Sequence, residues 1–492
     1  MSGLKRVLAF DIGASSGRAM LGSFDGIKIS LEEIHRFSND PVSVNGTLYW
    51  DVYRLFYEIR QGILIAAAKG EFESIGIDTW GVDFGLLRKD GSLVECPVHY
   101  RDARTKNCLP SAFKKIGRGE FYGITGIQFM ELNTAFQLFS LVTGRKQIPN
   151  QTDTLLMMPD LFNFFLTGIQ KTEYSIATTS QLLDAKSKTW SKRIFKALGI
   201  PLRFMTEIVP TGTVLGKLRK DLREELSCPA VSVIAVAGHD TQSAAVSVPS
   251  AQADFAFISC GTWSLIGTEI DSPLLDERTA SLNVTNEGGF GGKITLLKNI
   301  VGLWLVQECR RQWKQEGRDL SFSNLADMAL SAEPMVSFID PDDGEFIPPG
   351  NMPLRIKDYC LRTGQRVPES IAEIMRCVYQ SLALKHRWAL GQIEICTGKR
   401  YPSIHIVGGG VQDSLLCQLT SNACGRPVVA GPVEATVIGN IAVQMITLGV
   451  IPDIAGARKI IADSNPLGVY SPEKGNVWDE SYEGFLSVCG IT

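Results

Sequence analysis

Short apolar runs that end in glycine-rich polar turns recur along this 492-residue chain. The first is Val7-Leu8-Ala9-Phe10, closed by Asp11-Ile12 and the turn Gly13-Ala14-Ser15-Ser16-Gly17-Arg18, with a second run leaving from Ala19. This pattern predicts a β-hairpin. Residues 32–37 read as a further strand. Residues 50–69 read as a helix with Val52, Leu55, Phe56, Ile59 and Ile63 on one face. Residues 73–87 give a strand, a polar glycine turn and another strand that closes at Asp90-Gly91. Such a βαβ-rich opening predicts mixed α/β architecture. Residues 103–230 are more helical and less regular. Within them Met157-Met158-Pro159-Asp160 leads into an aromatic helix at 161–166 that stops at Gly168, and residues 172–181 carry the Ser/Thr density of a loop facing a polar ligand.

The pattern then repeats. Residues 231–237 form an apolar strand ending at Gly238-His239-Asp240-Thr241-Gln242, and residues 255–267 again give strand, Gly/Thr/Ser turn and strand, with Gly261 falling on Gly13. This is a weak internal duplication, predicting two related domains at 1–248 and 249–492. Where the first copy has Asp11 the second has Ser259, which would put a metal ion on one side only. Residues 299–315 read as a helix carrying Trp304 and Trp313, 340–343 as an acidic loop, and 371–395 as a long core helix. A strand at 404–407 ends in Gly408-Gly409-Gly410, followed by a helix at 415–424, a strand and turn at 428–435 and a helix at 436–448. Gly439 inside that last helix costs about 1 kcal/mol against alanine, the mark of a close-packing position.

A chain of this length exceeds one ordinary core, in keeping with two domains. The 49 Lys and Arg against 52 Asp and Glu give a net charge of −3, with no long run of one sign, which argues against nucleic acid and membrane surfaces as partners. The apolar stretch after Lys5-Arg6 is too short for a signal peptide, and nothing approaches the ~20 apolar residues of a membrane span. A cytoplasmic protein is expected. The eleven cysteines include no CxxC, so buried reduced thiols are expected rather than a zinc site.

The glycine-rich turns at 13–17, 259–264 and 408–412 together suit a split nucleotide site. No GxxxxGK[ST] is present and no GxGxxG follows a strand. In the first turn Gly13 and Gly17 would let the backbone approach a ligand and take positive φ, while Ser15, Ser16 and Arg18 offer donors that suit phosphate oxygens. The alternative is a hairpin with a plain glycine turn. Asp11, at the strand end, could hold a hydrated magnesium ion. Asp240 could accept a proton from a substrate hydroxyl as a phosphoryl group transfers, or it could simply cap the helix that follows. His239 could hydrogen-bond substrate or be structural. Asp78, Trp80, Asp83, Arg101, Asp102 and Arg104 suit a polyol through carboxylates and an indole face, or form a surface strand with a charged turn.

Several of these stretches together resemble one family. Asp-Ile-Gly-Ala-Ser-Ser-Gly-Arg at 11–18, Ile-His-Arg-Phe at 34–37, Ile-Asp-Thr-Trp-Gly-Val-Asp-Phe at 77–84, Tyr-Arg-Asp-Ala-Arg-Thr at 100–105 and Gly-His-Asp-Thr at 238–241 carry the likeness. Gly-Thr-Trp-Ser at 261–264, Asn-Glu-Gly-Gly at 286–289, Leu-Lys-Asn-Ile-Val-Gly-Leu-Trp at 297–304, Ile-Val-Gly-Gly-Gly at 406–410 and Ala-Gly-Pro-Val-Glu-Ala at 430–435 extend it nearly end to end. The chain resembles the FGGY carbohydrate kinases, within the superfamily of sugar kinases, heat-shock chaperones and actin. The resemblance implies two ribonuclease-H-like (actin-like ATPase) lobes with a central ligand cleft, the N-terminal lobe binding sugar and carrying the first phosphate turn, the C-terminal lobe binding nucleotide. It implies ATP-dependent phosphorylation of L-rhamnulose at O1, in L-rhamnose catabolism, with Mg²⁺. Ala14, Ser15, Ser16, Gly17, Arg18, Thr262, Gln307 and Gly409 would bind ATP. Gly81, Asp83, His239, Asp240, Thr241 and Asn299 would contact the sugar, Asp240 would be the proton acceptor, and Asp11 would position magnesium through water. The implied partners are the small-molecule sugar and ATP, and a monomer or weak homodimer is expected. A kinase for L-fuculose or a pentulose, or a non-catalytic sugar and nucleotide sensor, are the alternatives. The family pattern has a close cysteine pair near residue 420. Here Thr420 and Cys424 stand there, which excludes a disulfide.

Overall fold

The computed structural model describes residues 4–144, 147–473 and 475–491. The chain divides into two units, Met1–Ser247 with Glu269–Leu296 and Ala435–Ser464, and Val248–Thr268 with Leu297–Glu434 and Asn465–Thr492. The strands of the two large sheets are numbered in chain order. Those of the first are β1 (Lys5–Ile12), β2 (Ser16–Phe24), β3 (Ile29–Ser38), β4 (Ser74–Thr79), β5 (Thr213–Lys217) and β6 (Ser232–Ala235), in the order β5-β6-β4-β1-β2-β3. β1 runs antiparallel to β2 and parallel to β4. Its unbroken apolar run is explained by burial on both faces. Leu8, Phe10 and Ile12 join Leu55, Ile59 and Ile63 of the helix Val52–Ala68 in one cluster. Val7 and Ala9 join Val437, Ile438 and Ile441 of the helix Ala435–Thr447 in another. Asp51 caps the first of these helices by accepting the Arg54 N–H at 3.1 Å.

The other large sheet contains β7 (Ala256–Cys260), β8 (Trp263–Ile270), β9 (Thr285–Gly288), β10 (Ile294–Val301), β11 (Ile404–Val407), β12 (Val428–Ala430) and β13 (Gly468–Tyr470), in the order β9-β10-β8-β7-β11-β12-β13. Strand β9 and the start of β10 are counted with the first unit. Within the second unit the hairpin β7–β8 is antiparallel, β11 is parallel to β7, β12 parallel to β11, and β13 antiparallel to β12. The first sheet has the same succession: β2 antiparallel to β1, then β4 and β6 parallel, then β5 antiparallel. The internal duplication read from the hairpins is thus a duplication of whole sheets. Behind the second sheet the long helix Ile371–Thr397 starts at a Ser370/Glu373 capping box and stops at Gly398, whose φ is +67°.

Two expectations are corrected. Residues 172–181 are no ligand-facing loop: they form a short strand and the fully buried helix Tyr174–Thr179. Their hydroxyls turn back onto helix carbonyls, Thr178 to Ser175 O at 2.6 Å and Thr179 to Ile176 O at 2.7 Å. Ser and Thr satisfied in this way are compatible with burial. The helix expected from residue 299 starts at Trp304, because Asn299 belongs to β10 and Gly302 separates the two. All eleven cysteines are free thiols, seven of them buried. Among the described residues no helix is long and apolar enough to cross a membrane.

Gly439 is a close-packing position. A Cβ there would lie 1.7 Å from the Ser243 carbonyl oxygen of the helix Asp240–Val246. Backbone cannot yield as a side chain does. Gly439→Ala is therefore expected to destabilise the fold by at least about 1–3 kcal/mol, read as a lowered midpoint in urea unfolding; a midpoint equal to the parent's would remove the close-packing account.

Candidate active site

The strand register assembles a carboxylate-rich strand end. Asp11 pairs with Arg18 across the hairpin and with Asp78 on parallel β4. Arg18 Nε and Nη2 lie 3.1 and 2.9 Å from Asp11 Oδ2, so the residues assigned separately to phosphate and to metal form an ion pair. Asp78 is fully buried. Its Oδ2 accepts the Asn440 amide at 2.6 Å, while its Oδ1 has no hydrogen-bond partner. Burial first, then the charge of Asp11, holds its carboxyl well above the usual carboxylate range, with Asn440 opposing and Asp240 adding to the push. The phosphate-type turn itself is pinned by Asn39, which donates its side chain to Gly13 O at 2.8 Å and its backbone N–H to Ser15 O at 3.1 Å. Ala14 is half-buried, and Ser15 and Ser16 are exposed. Neither Gly13 nor Gly17 has positive φ. Gly17 is required for another reason: a Cβ would lie 2.2 Å from the Phe37 ring.

The turn after β6 presents His239, Asp240 and Thr241. His239 occupies the N-cap position of the helix Asp240–Val246, so Asp240 is not its cap. Asp240 Oδ1 accepts from Thr241 N–H at 2.6 Å and Thr241 Oγ1 at 3.2 Å, and lies 3.5 Å from His239 Nε2. Among the described residues every hydrogen bond to Asp240 goes to Oδ1, and the side chain is 32% exposed, which leaves Oδ2 open to a ligand. Burial raises the Asp240 carboxyl above its ordinary value. The His239 charge opposes this, Asp11 supports it, and the Thr241 donors oppose it. His239 Nδ1 lies 2.9 Å from Glu287 Oε2. Burial pulls the imidazole down, but the charge and hydrogen bond of Glu287, with Asp240 adding, push its pKa up to about 9.

Facing this turn is Trp80-Gly81-Val82-Asp83. A Cβ at Gly81 would lie 3.3 Å from His239 Nε2, so Gly81 and that nitrogen border the same space. Val82 adopts φ +69°, a strained conformation for a β-branched residue. Its N–H donates to Thr179 Oγ1 at 3.0 Å, and its carbonyl accepts from Thr134 Oγ1 at 2.6 Å and Gln137 Nε2 at 3.3 Å. Asp83 lies behind the turn with no exposed surface. Its Oδ2 accepts from Trp50 Nε1, Trp80 Nε1 and Tyr100 N at 2.6, 3.0 and 3.1 Å, and its Oδ1 from Gln137 at 2.9 Å. Burial raises its pKa to about 6 against the pull of these donors. The charged surface turn weighed for this stretch is absent at Asp78, Trp80 and Asp83, all buried.

In the second unit Thr262 is exposed and its Oγ1 lies 3.4 Å from Gln307 Oε1, so two expected nucleotide contacts stand together. Gly409 is exposed on the turn after β11, with open space where a Cβ would be. Gly410 is held against β7, where a Cβ would meet Cys260 Sγ at 2.3 Å. The β7 and β11 turns are therefore neighbours. Asn299 lies on β10 of this unit, half-buried. No local sequence pattern marks Thr134 or Gln137 as part of the site, Thr179 lies in the stretch expected to face a ligand, and Glu287 is marked only by the Asn-Glu-Gly-Gly motif.

A repeated sheet with glycine turns at its strand ends and a carboxylate beside a histidine fits a phosphotransferase. Residues 6–247 match the FGGY family of carbohydrate kinases, N-terminal domain, and residues 256–448 its C-terminal domain. The chain belongs to the FGGY family of carbohydrate kinases. It is 44% identical over 478 residues to a rhamnulokinase of Bacteroides thetaiotaomicron, covering 97% of this chain and 98% of that one. It is 41% identical to a rhamnulokinase of Oceanobacillus iheyensis, covering 94% and 98%. Among solved structures, a xylulose kinase from Rhodospirillum rubrum matches with a TM-score of 0.81 at 15% identity over 98% of each chain. A Plasmodium falciparum glycerol kinase with ADP matches with a TM-score of 0.78 at 13% identity over 99% and 97%. These likenesses show the fold, with its two ribonuclease-H-like lobes.

The strained Val82 turn depends on Thr179. Thr179→Val keeps the shape and removes the acceptor for a buried N–H, so a loss of about 1–3 kcal/mol of stability is expected. A raised KM for the sugar with KM for ATP unchanged is the accompanying kinetic result. Steady-state kinetics on the folded variant check this, and unchanged sugar KM would detach the turn from the site.

Proposed function

We propose that this chain transfers the γ-phosphoryl group of ATP to O1 of L-rhamnulose. The single observation that carries the chemistry is Asp240, with Oδ1 engaged by Thr241 and Oδ2 open. The sugar assignment is supported by the rhamnulokinases matched at 41–44% identity over nearly the whole chain. In this reading Asp240 Oδ2 orients the O1 hydroxyl and takes its proton as the new P–O bond forms, and burial makes the carboxylate a stronger base than one in water. His239 presents Nε2–H to a substrate oxygen on the same side. Gly81, lacking a side chain, leaves room for the sugar beside that nitrogen. Thr241 holds Asp240, and Asp83 supports the Gly81 turn from behind through its four donors. Asn299 remains the proposed sugar contact of the second unit. Residues Ala14 to Arg18 are the proposed phosphate contacts of lobe 1–248, and Thr262, Gln307 and Gly409 the nucleotide contacts of lobe 249–492.

A magnesium ion fits this residue set. Asp78 Oδ1 is buried without a partner, and the charges of Asp11 and Asp240 both raise the Asp78 carboxyl, a repulsion that a cation relieves. Among the described residues no three His, Cys, Asp or Glu side chains group closely enough to hold a metal. Asp11 is therefore the proposed protein contact, through water, as suits magnesium. When bound, the ion neutralises charge on the transferring phosphoryl group.

The test is ADP release with Mg²⁺–ATP against L-rhamnulose, L-fuculose, L-xylulose, D-xylulose, L-ribulose and glycerol. Preference for L-rhamnulose is expected, with Asp240→Asn lowering kcat about 10²–10⁴-fold. Preference for another ketose would reassign the substrate, and near-normal turnover by folded Asp240→Asn would remove Asp240 as the base.

A further inference from the structure

Glu287 is the buried charge that this mechanism leaves unused. It sits on β9 within Asn286-Glu287-Gly288-Gly289, in the same unit as His239, with its side chain 8% exposed. Its Oε2 lies 2.9 Å from His239 Nδ1 and accepts Gln242 Nε2 at 3.0 Å. Gln242 is fixed in turn, its Oε1 accepting from Thr295 Oγ1 at 2.6 Å. The strand cannot drift away. Gly288 N–H donates to Thr178 Oγ1 at 3.0 Å, and a Cβ on Gly288 would lie 2.4 Å from the Tyr174 ring. Glu287 is therefore held by packing on one side and by an amide on the other, with its carboxylate against one nitrogen of the imidazole.

A carboxylate at Nδ1 fixes which ring nitrogen carries a proton whatever the state of the other. Nδ1–H points at Glu287, and Nε2 faces the space bordered by Gly81 and Asp240. We propose that Glu287 is a positioning residue for sugar phosphorylation: it holds Nδ1–H of His239, keeps the imidazole cationic, and aims Nε2–H at the sugar oxygen next to Asp240. Among the described residues the charged groups acting on the ring are Glu287, Asp240 and Glu173, all acidic, and together they outweigh burial. Because the imidazole titrates near 9, Nε2 carries its proton below that pH and loses it as pH rises through about 9. Removing the Glu287 charge weakens the largest of these attractions, so the loss moves to lower pH. The same cation steadies the charge of Asp240 before proton transfer, which places one acid and one base side by side with different loads.

This inference rests on the kinase reading above. Glu287→Gln is nearly isosteric, and its amide oxygen still accepts Nδ1–H, so the variant removes charge and keeps shape. The expected result is a KM for the ketose raised about tenfold, the scale of one charge-assisted hydrogen bond, with KM for ATP unchanged. The alkaline limb of kcat/KM should also move at least one pH unit lower, and Glu287→Asp should recover part of both. In the full-length chain without substrate, NMR titration of the His239 ring, assigned with His239→Gln, should show its midpoint fall in Glu287→Gln. An active parent whose Glu287→Gln variant keeps its sugar KM and pH profile overturns the proposal alone, whatever the ring titration does. An unmoved ring midpoint also overturns it. A parent that phosphorylates no ketose overturns the functional reading, and the proposal with it.

Discussion

The rest of the site depends on one electrostatic constraint: β1 and β4 run parallel in a register that sets Asp11 beside Asp78 at a buried strand end. A second ionised carboxylate there is disfavoured by burial and by the neighbouring charge, and the Asp78 carboxyl accordingly lies well above the usual carboxylate range. Each carboxylate in the cluster has its own counterweight. Arg18 pairs with Asp11, Asn440 donates to Asp78, and His239 stands by Asp240. The compensation at Asp78 is incomplete, since one oxygen has no partner. An unpartnered buried carboxyl oxygen among acidic neighbours is what a bound cation can satisfy, so the stability cost in the free protein is also a source of ligand affinity.

A second constraint concerns shape. The Gly81-Val82 turn holds a β-branched residue at positive φ, at a cost of order 1–3 kcal/mol. Three side chains from two helices meet that turn, Thr179 from one and Thr134 and Gln137 from another. Asp83 then gathers two indoles, a backbone N–H and the same Gln137. Gln137 thus bonds both the strained carbonyl and the buried carboxylate, so turn and support move together or not at all. Rigidity here is built from saturated hydrogen bonds together with the packed indoles of Trp50 and Trp80, which suits a surface that must present Gly81 without a side chain.

How far the sequence discloses this varies with sequence distance. The hairpin at 7–21 is legible because a run of apolar residues ending in glycine and serine has few other readings, and Gly439 is legible because glycine inside a helix demands a neighbour. The helix Tyr174–Thr179 is not, because Ser and Thr density fits either a loop or hydroxyls folded back on a buried helix. The destination of Asp83 requires Trp50 and Gln137, 33 and 54 residues away. Asn440 reaches Asp78 across 362 residues, and no local pattern predicts that the helix Ala435–Thr447 belongs with the first unit. Glu287 was visible as part of a motif but not as a partner, since its bond to His239 spans 48 residues.

The repeated sheet topology makes the differences between the two copies informative. Both put a hairpin turn at the end of a central strand that has its antiparallel hairpin partner on one side and a parallel strand on the other. In the first copy those strand ends carry Asp11 and Asp78, and the turn carries Arg18. In the second, Ser259 and Val407 stand there, the facing turn is Gly408-Gly409-Gly410, and Cys260, next along from Ser259, is tight against Gly410. Burial raises the Cys260 thiol to about 12, so it contributes no charge. One backbone plan thus yields a charged strand end and an uncharged one. A charged end suits metal-bound phosphates and proton transfer, whereas an uncharged end with bare glycine backbone suits close approach of a nucleotide. The division of labour proposed for the two lobes therefore needs no difference in fold, only the exchange of a few residues at equivalent strand ends.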